Sequence, residues 1–207
     1  MLRRLLIATG NAGKVREFRE MLGADRFAWS DLSGHRGVAP VEETGATFRA
    51  NACLKASEYA RQLDTWALAD DSGLAVDSLG GKPGVHSARW AELNGTGKGD
   101  ADNNATLLRQ LDELRVTDQR RTARFVCVLA LADPRGRIVL TAQDSVEGRI
   151  LRSPRGTNGF GYDPLFLVPE LGKTTAELSP DEKHAISHRG KALRRLRGLM
   201  EKTGLFH

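Results

Sequence analysis

Cysteine is scarce in this chain: Cys53 and Cys127 are the only two among 207 residues. Neither sits in a C-x-x-C pair or a Cys/His cluster, which argues against a zinc site. Both read as small buried residues of a reducing, cytoplasmic protein. Long apolar runs are also missing. None approaches the roughly 20 residues that a membrane span needs. The start "MLRRLLIATG" is basic and then apolar, but its apolar run breaks at Thr9-Gly10-Asn11, so it reads as a first strand and not a signal peptide. Aromatic residues make up 6%, without the basic and aromatic interleaving of RNA-binding surfaces. No internal repeat, low-complexity tract or interdomain linker is evident. These absences point away from membrane and nucleic acid.

What remains is ordinary for a soluble domain: 40% apolar and 28% charged residues. The length suits one domain over 1–207, with two lobes and a real core. The net charge of +5 favours anionic partners. Much of the excess lies in "KALRRLRGLMEK", which reads as a solvated helix face.

Hydrophobic spacing gives the organisation. Leu5 to Thr9 is a buried strand. Val15, Phe18, Met21 and Leu22 recur at helical spacing, with Asn11 as cap and Gly23 as stop. A short strand near Phe27 to Ser30 leads to a Gly-rich loop over 31–46. A second helix starts at the Thr47 cap, with Phe48, Ala52, Ala56, Tyr59 and Leu63 on its apolar face. Thr65 to Ala69 and Leu74 to Val76 read as two strands. The Gly-rich, polar stretch "GGKPGVHSARWAELNGTGKGDADNN" reads as a long loop, and Leu107, Leu108, Leu111 and Leu114 as a helix. Two β-rich runs then flank Asp133-Pro134-Arg135-Gly136, a hairpin signal. Leu165 to Val168 is a last strand, and helix runs from about Pro180. Early alternation of strand and helix followed by a hairpin predicts an α/β fold: two lobes around a mixed β-sheet, with a cleft between them.

Four polar clusters carry chemistry. "TGNAGK", Thr9-Gly10-Asn11-Ala12-Gly13-Lys14, joins a strand end to a helix start, where free N–H groups and the dipole attract anions. It is not a Walker motif. "VEETG" places Glu42 and Glu43 before the second helix. "ADDSG" places Asp70 and Asp71 at a strand end, on opposite faces by alternation. Such hard oxygen donors suit Mg²⁺, which takes one or two carboxylates plus substrate phosphates. The bland reading is a turn. The fourth cluster pairs "GTNGFGYDP" with "DEKHAISHRGKAL". Phe160 among glycines could stack a flat ligand. Lys183, His188 and Arg189 are compatible with phosphate, but Lys183 and His188 would lie about 140° apart on one helix. If they share a ligand the helix must break, with Ser187 as the N-cap of a new one. Lys55, one turn after Asn51, would help neutralise phosphate charge.

Five stretches, "ATGNAGKVREF", "EETGATFRANACLKA", "ADDSGLAVDSLGGKPGVHSARW", "GFGYDPLF" and "DEKHAISHRGKAL", resemble in order the inosine triphosphate pyrophosphatase family, over nearly the whole chain. The resemblance implies an elongated two-lobed α/β fold with a long central mixed sheet flanked by helices, and a homodimer. It implies Mg²⁺-dependent hydrolysis of dITP, ITP and XTP to monophosphate and pyrophosphate. It places phosphates on Thr9 to Lys14, makes Asp71 the catalytic base and a metal contact, and has Ser72 touch substrate. Glu42 or Glu43 adds a metal contact. Phe160, Gly161, Tyr162, Asp163, Lys183, His188 and Arg189 hold the base and phosphates. His86 stands where many members carry Tyr, and the loop Ala91–Asn104 looks specific to this chain or its near relatives. The rivals are a pyrophosphatase for other modified nucleotides and a non-enzymatic nucleotide- or RNA-binding protein.

Overall fold

The computed structural model describes residues 3–23 and 27–205. Seven strands form one mixed sheet of order β2-β1-β3-β4-β5-β6-β7. They are β1 (Arg4–Ile7), β2 (Ala28–Asp31), β3 (Trp66–Val76), β4 (Thr122–Ala132), β5 (Ile138–Ile150), β6 (Phe166–Val168) and β7 (Lys173–Thr174). The pairs β1–β2 and β1–β3 are parallel, with Ile7 opposite Asp31 and Leu68. The pairs β5–β6 and β6–β7 are antiparallel. The helices are α1 (Ala12–Leu22), α2 (Phe48–Leu63), α3 (Trp90–Leu93), α4 (Asp100–Glu113), α5 (Pro180–Ile186) and α6 (His188–Lys202). The fold is α/β, as expected.

The chain divides into two compact units. The first comprises Met1–Asp71, Cys127–Asp144 and Arg189–His207; the second comprises Ser72–Val126 and Ser145–His188. In the first, Phe18 and Leu22 of α1 and Ala192, Leu193 and Leu196 of α6 pack on Leu5, Ile7, Leu68, Leu129 and Leu131. Register puts Leu5, Ile7, Leu68 and Asp70 on that face of the sheet. Asp71 points from the other face and meets Lys55 of α2. In the second unit, Leu107 and Leu111 of α4 pack with Leu74, Val76, Phe125, Val146 and Phe166.

The expected caps form. The Asn11 side chain accepts from Lys14 N–H, the Thr47 side chain accepts from Ala50 N–H, and Gly23 ends α1 at φ 89°. Gly136 N–H donates to Asp133 O at 2.8 Å and closes the expected hairpin turn. The short strand expected at Phe27 to Ser30 runs from Ala28 to Asp31.

Two expectations are corrected. The segments at 65–69 and 74–76 are one strand, so Asp70 and Asp71 lie inside β3 and not at its end, and no turn follows them. The strand continues because each carboxylate meets cations on its own face, which offsets the poor fit of aspartate to a sheet interior. The Gly-rich stretch read as a long loop is largely helical: a 3₁₀ segment Gly84–Arg89, α3, and α4 from Asp100. Several of its polar side chains bind backbone. Asn103 Oδ1 accepts from Ala91 N–H at 2.8 Å and its Nδ2 donates to Ala88 O at 3.2 Å. Trp90 Nε1 donates to Gln110 Oε1 at 2.9 Å. A polar composition therefore concealed an internally bonded segment.

Candidate active site

The neighbours Asp70 and Asp71 have different surroundings. Asp70, 1% exposed, is ion-paired to Lys14 and to Arg189 Nε at 3.0 Å, and accepts from Cys127 Sγ at 3.1 Å. Burial opposes its charge, but the Arg189 guanidinium and the Lys14 ammonium more than offset this and hold its carboxyl well below the usual range. Arg189 Nη1 also donates to Glu17 Oε2 at 2.5 Å. Burial counts against the guanidinium, yet Asp70 and Glu17 raise its pKa. Lys14, Asp70, Arg189 and Glu17 thus form a compensated buried network under α1 and α6.

Asp71, 5% exposed, has a single cation at 3.0 Å, Lys55 Nζ, on Oδ1. Its Oδ2 is buried with no hydrogen-bond partner. Burial pushes the carboxyl up to about 6, against the pull of Lys55 and with the help of Glu43. Lys55 Nζ also donates to Glu43 Oε1 at 3.0 Å. Burial weakens the ammonium, but the Asp71 and Glu43 carboxylates outweigh it and raise its pKa. Glu43, Lys55 and Asp71 therefore come together. Glu42 and Glu43 are both exposed, and Glu43 is the one that reaches Lys55.

Asn51, one turn before Lys55, organises the loop that carries Glu43. It is 1% exposed, and its Oδ1 accepts from Gly45 N–H at 2.7 Å. A Cβ on Gly45 would lie 2.6 Å from that oxygen and 2.7 Å from the Ala50 methyl, so only glycine fits this approach.

The Thr9–Lys14 loop is tied internally: Asn11 N–H donates to Thr9 Oγ1 at 3.2 Å and Lys14 N–H to Asn11 Oδ1 at 3.1 Å. The Ala12 and Gly13 N–H groups precede the first intrahelical bond of α1, a geometry suited to an anion. A cavity of about 380 Å³ adjoins this loop, lined by Thr9, Gly10, Ala12, Arg16 and Arg19 among others.

In the second unit, Asp163 orders the aromatic loop. Its Oδ2 accepts from Phe160 N–H at 2.9 Å and from Lys183 Nζ at 2.7 Å, and its Oδ1 accepts from Thr175 Oγ1 at 2.8 Å. Lys183 Nζ lies 4.9 Å from the centroid of the Phe160 ring, within cation–π range. Tyr162 is buried, and its Oη donates to Ser87 O at 2.9 Å. The helix breaks where expected: α5 ends at Ile186, Ser187 is extended at φ −64° and ψ 155°, and α6 begins at His188. His188 is buried and stacks on Phe125, with centroids 4.9 Å apart. Ser72 is half-buried on β3.

A sequence model of the Ham1 family matches residues 5–199. The chain belongs to the Ham1 family. It is 50% identical over 195 residues to a dITP/XTP pyrophosphatase of Geobacillus kaustophilus, covering 94% of this chain and 93% of the relative. It is 51% identical over 193 residues to a dITP/XTP pyrophosphatase of Exiguobacterium sibiricum, covering 93% and 94%. The solved structure of a HAM1 protein from Coxiella burnetii superposes with a TM-score of 0.86 at 41% identity, covering 98% of this chain and all of that one.

Some residues that shape this Ham1 chain escaped sequence reading. Glu17 stands three residues after Lys14 on α1, so helical spacing could have linked it to the same network. Thr175, Asp100 and Asn104 had no local signal, because their partners are distant in sequence.

Proposed function

We propose that this chain is a pyrophosphatase that hydrolyses non-standard purine nucleoside triphosphates such as dITP, ITP and XTP to the monophosphate and pyrophosphate. The observation that carries this is Asp71: a buried carboxylate with one unpartnered oxygen, beside a lysine and a second carboxylate. The names of its relatives support the substrate class.

The donor set fits Mg²⁺. Asp71 Oδ2 lacks a partner and Glu43 faces the same lysine, so hard oxygens are available for an ion that otherwise binds water and phosphate. Among the described residues no group of three or more His, Cys, Asp or Glu could hold a metal; two carboxylates with substrate phosphates meet the need of Mg²⁺. Asp71 and Glu43, which share Lys55, would hold it, and Glu42, outside that cluster, is the weaker candidate. When bound, the ion would neutralise triphosphate charge.

The chain supplies the rest. The Ala12 and Gly13 N–H groups and the Thr9 and Asn11 side chains cradle phosphate oxygens. Lys55 and Lys183 add positive charge, and Ser72 contacts substrate. Asp71 takes a proton from the attacking water as its oxygen bonds to the α-phosphorus. The bond from that phosphorus to the bridging oxygen breaks, and pyrophosphate leaves. A carboxylate raised to about 6 is a stronger base than usual and still mostly ionised at pH 7. Phe160 stacks the base within a loop ordered by Asp163, while His188 and Arg189 donate to a 6-oxo group.

The whole chain acts as one domain, a homodimer in the cytoplasm, by resemblance to the family. No helix among the described residues is long and apolar enough to cross a membrane.

The test is product analysis with dITP, ITP, XTP, dATP, dGTP and modified pyrimidine triphosphates in Mg²⁺. Pyrophosphate from dITP, ITP and XTP is expected, with at least a hundredfold loss in Asp71→Asn. Orthophosphate alone would mean a phosphatase, and a pyrimidine preference a different pyrophosphatase. Salt-sensitive oligonucleotide binding without turnover would mean a binding protein. Full activity in Asp71→Asn would remove Asp71 from the chemistry.

A further inference from the structure

The N-terminal turn of α4 grips the aromatic loop at one residue. Asp100 Oδ2 accepts from Gly161 N–H at 2.6 Å, and Asn104 Nδ2 donates to Gly161 O at 2.9 Å. Asp100 and Asn104 are one turn apart, so they share a helix face and reach the peptide groups on either side of Gly161. Gly161 adopts φ +63°, the left-handed conformation that glycine tolerates without a Cβ penalty. With Asp163 Oδ2 on Phe160 N–H, three consecutive peptides carrying Phe160 are fixed by side chains. The helix that grips them is itself anchored: Asn103 binds the backbone of Ala88 and Ala91, and Thr96 Oγ1 lies 2.5 Å from Thr106 Oγ1.

We propose that Asp100 and Asn104 are positioning residues for substrate, setting the Phe160 ring for stacking by clamping Gly161 from both sides. This rests on the stacking role given to Phe160 above. Without the clamp the loop populates other conformations, and the substrate must order it on binding, which raises KM and leaves the chemical step intact. Stacking does not read base identity, so every purine triphosphate is affected alike. The Asp100 bond is charge-assisted and the stronger of the two.

The experiment is a double-mutant cycle on pyrophosphate release from dITP and XTP in Mg²⁺, using Asp100→Ala, Asp100→Asn, Asn104→Ala and Phe160→Ala. Asp100→Ala should raise KM roughly tenfold with kcat within about twofold, from the loss of one charge-assisted hydrogen bond. Asn104→Ala should raise KM less, and in the same direction for both substrates. Asp100→Asn keeps an acceptor and should restore most of the affinity. In the Phe160→Ala background, Asp100→Ala should add little, because the ring it positions is gone.

Unchanged KM in folded variants would overturn the proposal, as would a fall in kcat alone, a loss confined to one purine, or full additivity with Phe160→Ala. Thermal melts accompany each variant, and KM effects that follow Tm across all four, Asp100→Asn included, would mean a structural role only. If the wild type releases no pyrophosphate from any purine triphosphate, the proposed activity fails. If the wild type turns over normally and the cycle is additive, the clamp alone fails.

Discussion

Replacing Asp71 by asparagine should abolish activity and stabilise the fold at the same time. The carboxyl moves from an ordinary value of 3.8 in the unfolded chain to about 6 in the folded protein, because burial outweighs the attraction of Lys55. About two pKa units correspond to roughly 3 kcal/mol of destabilisation at neutral pH. The Lys55 attraction is already contained in that figure, since the ammonium stays charged throughout. For a chain of this size each kcal/mol moves Tm by about 2–4 °C, so Asp71→Asn should melt roughly 6–12 °C higher at pH 7.5. The sign follows from proton binding. Between 3.8 and about 6 the folded state keeps a proton that the unfolded chain has lost, so stability falls as pH rises through that window. The gap between variant and wild type should shrink to about 1 kcal/mol at pH 4.5. Melts by differential scanning fluorimetry or calorimetry, in chelator, measure it; chelation keeps any divalent cation from lowering the carboxyl. A variant that melts below wild type at pH 7.5, or a gap that does not change with pH, would refute the assignment of a burial penalty to Asp71.

The neighbouring substitution should act in the opposite direction. Asp70→Asn leaves Lys14 and Arg189 short of an anion in a buried network, and thermal melts should show a loss on the order of 3 kcal/mol; a gain in Tm would contradict the compensated network. Gly45→Ala should displace the loop that carries Glu43, since the new methyl would lie 2.6 Å from Asn51 Oδ1. A Mg²⁺ titration of activity should then need several-fold more metal for half-maximal rate, and an unchanged requirement would separate Glu43 from the metal.

Much of the site was legible one residue at a time. Residue type and local spacing made "TGNAGK" a capped helix start, "VEETG" an acidic loop before a helix, and "HAISHRG" a helix that breaks at Ser187. These features depend on neighbours within a turn or two, which the chain order contains. Strand alternation also placed Asp70 and Asp71 on opposite faces. It could not say which face held which cations, because Lys14, Lys55 and Arg189 come from three separate helices.

Most of the helices and strands, the caps and the acidic and basic clusters were thus set by sequence alone. Only tertiary structure decided that β3 runs unbroken through two aspartates, since the cost is offset by partners 16, 56 and 119 residues away. It turned the polar stretch before Asn104 into helices, because its amides bond to backbone that the chain brings alongside. It also gave the two aspartates opposite roles: two strong cations keep Asp70 ionised, while a single lysine and a buried setting leave Asp71 a raised carboxyl with one open oxygen.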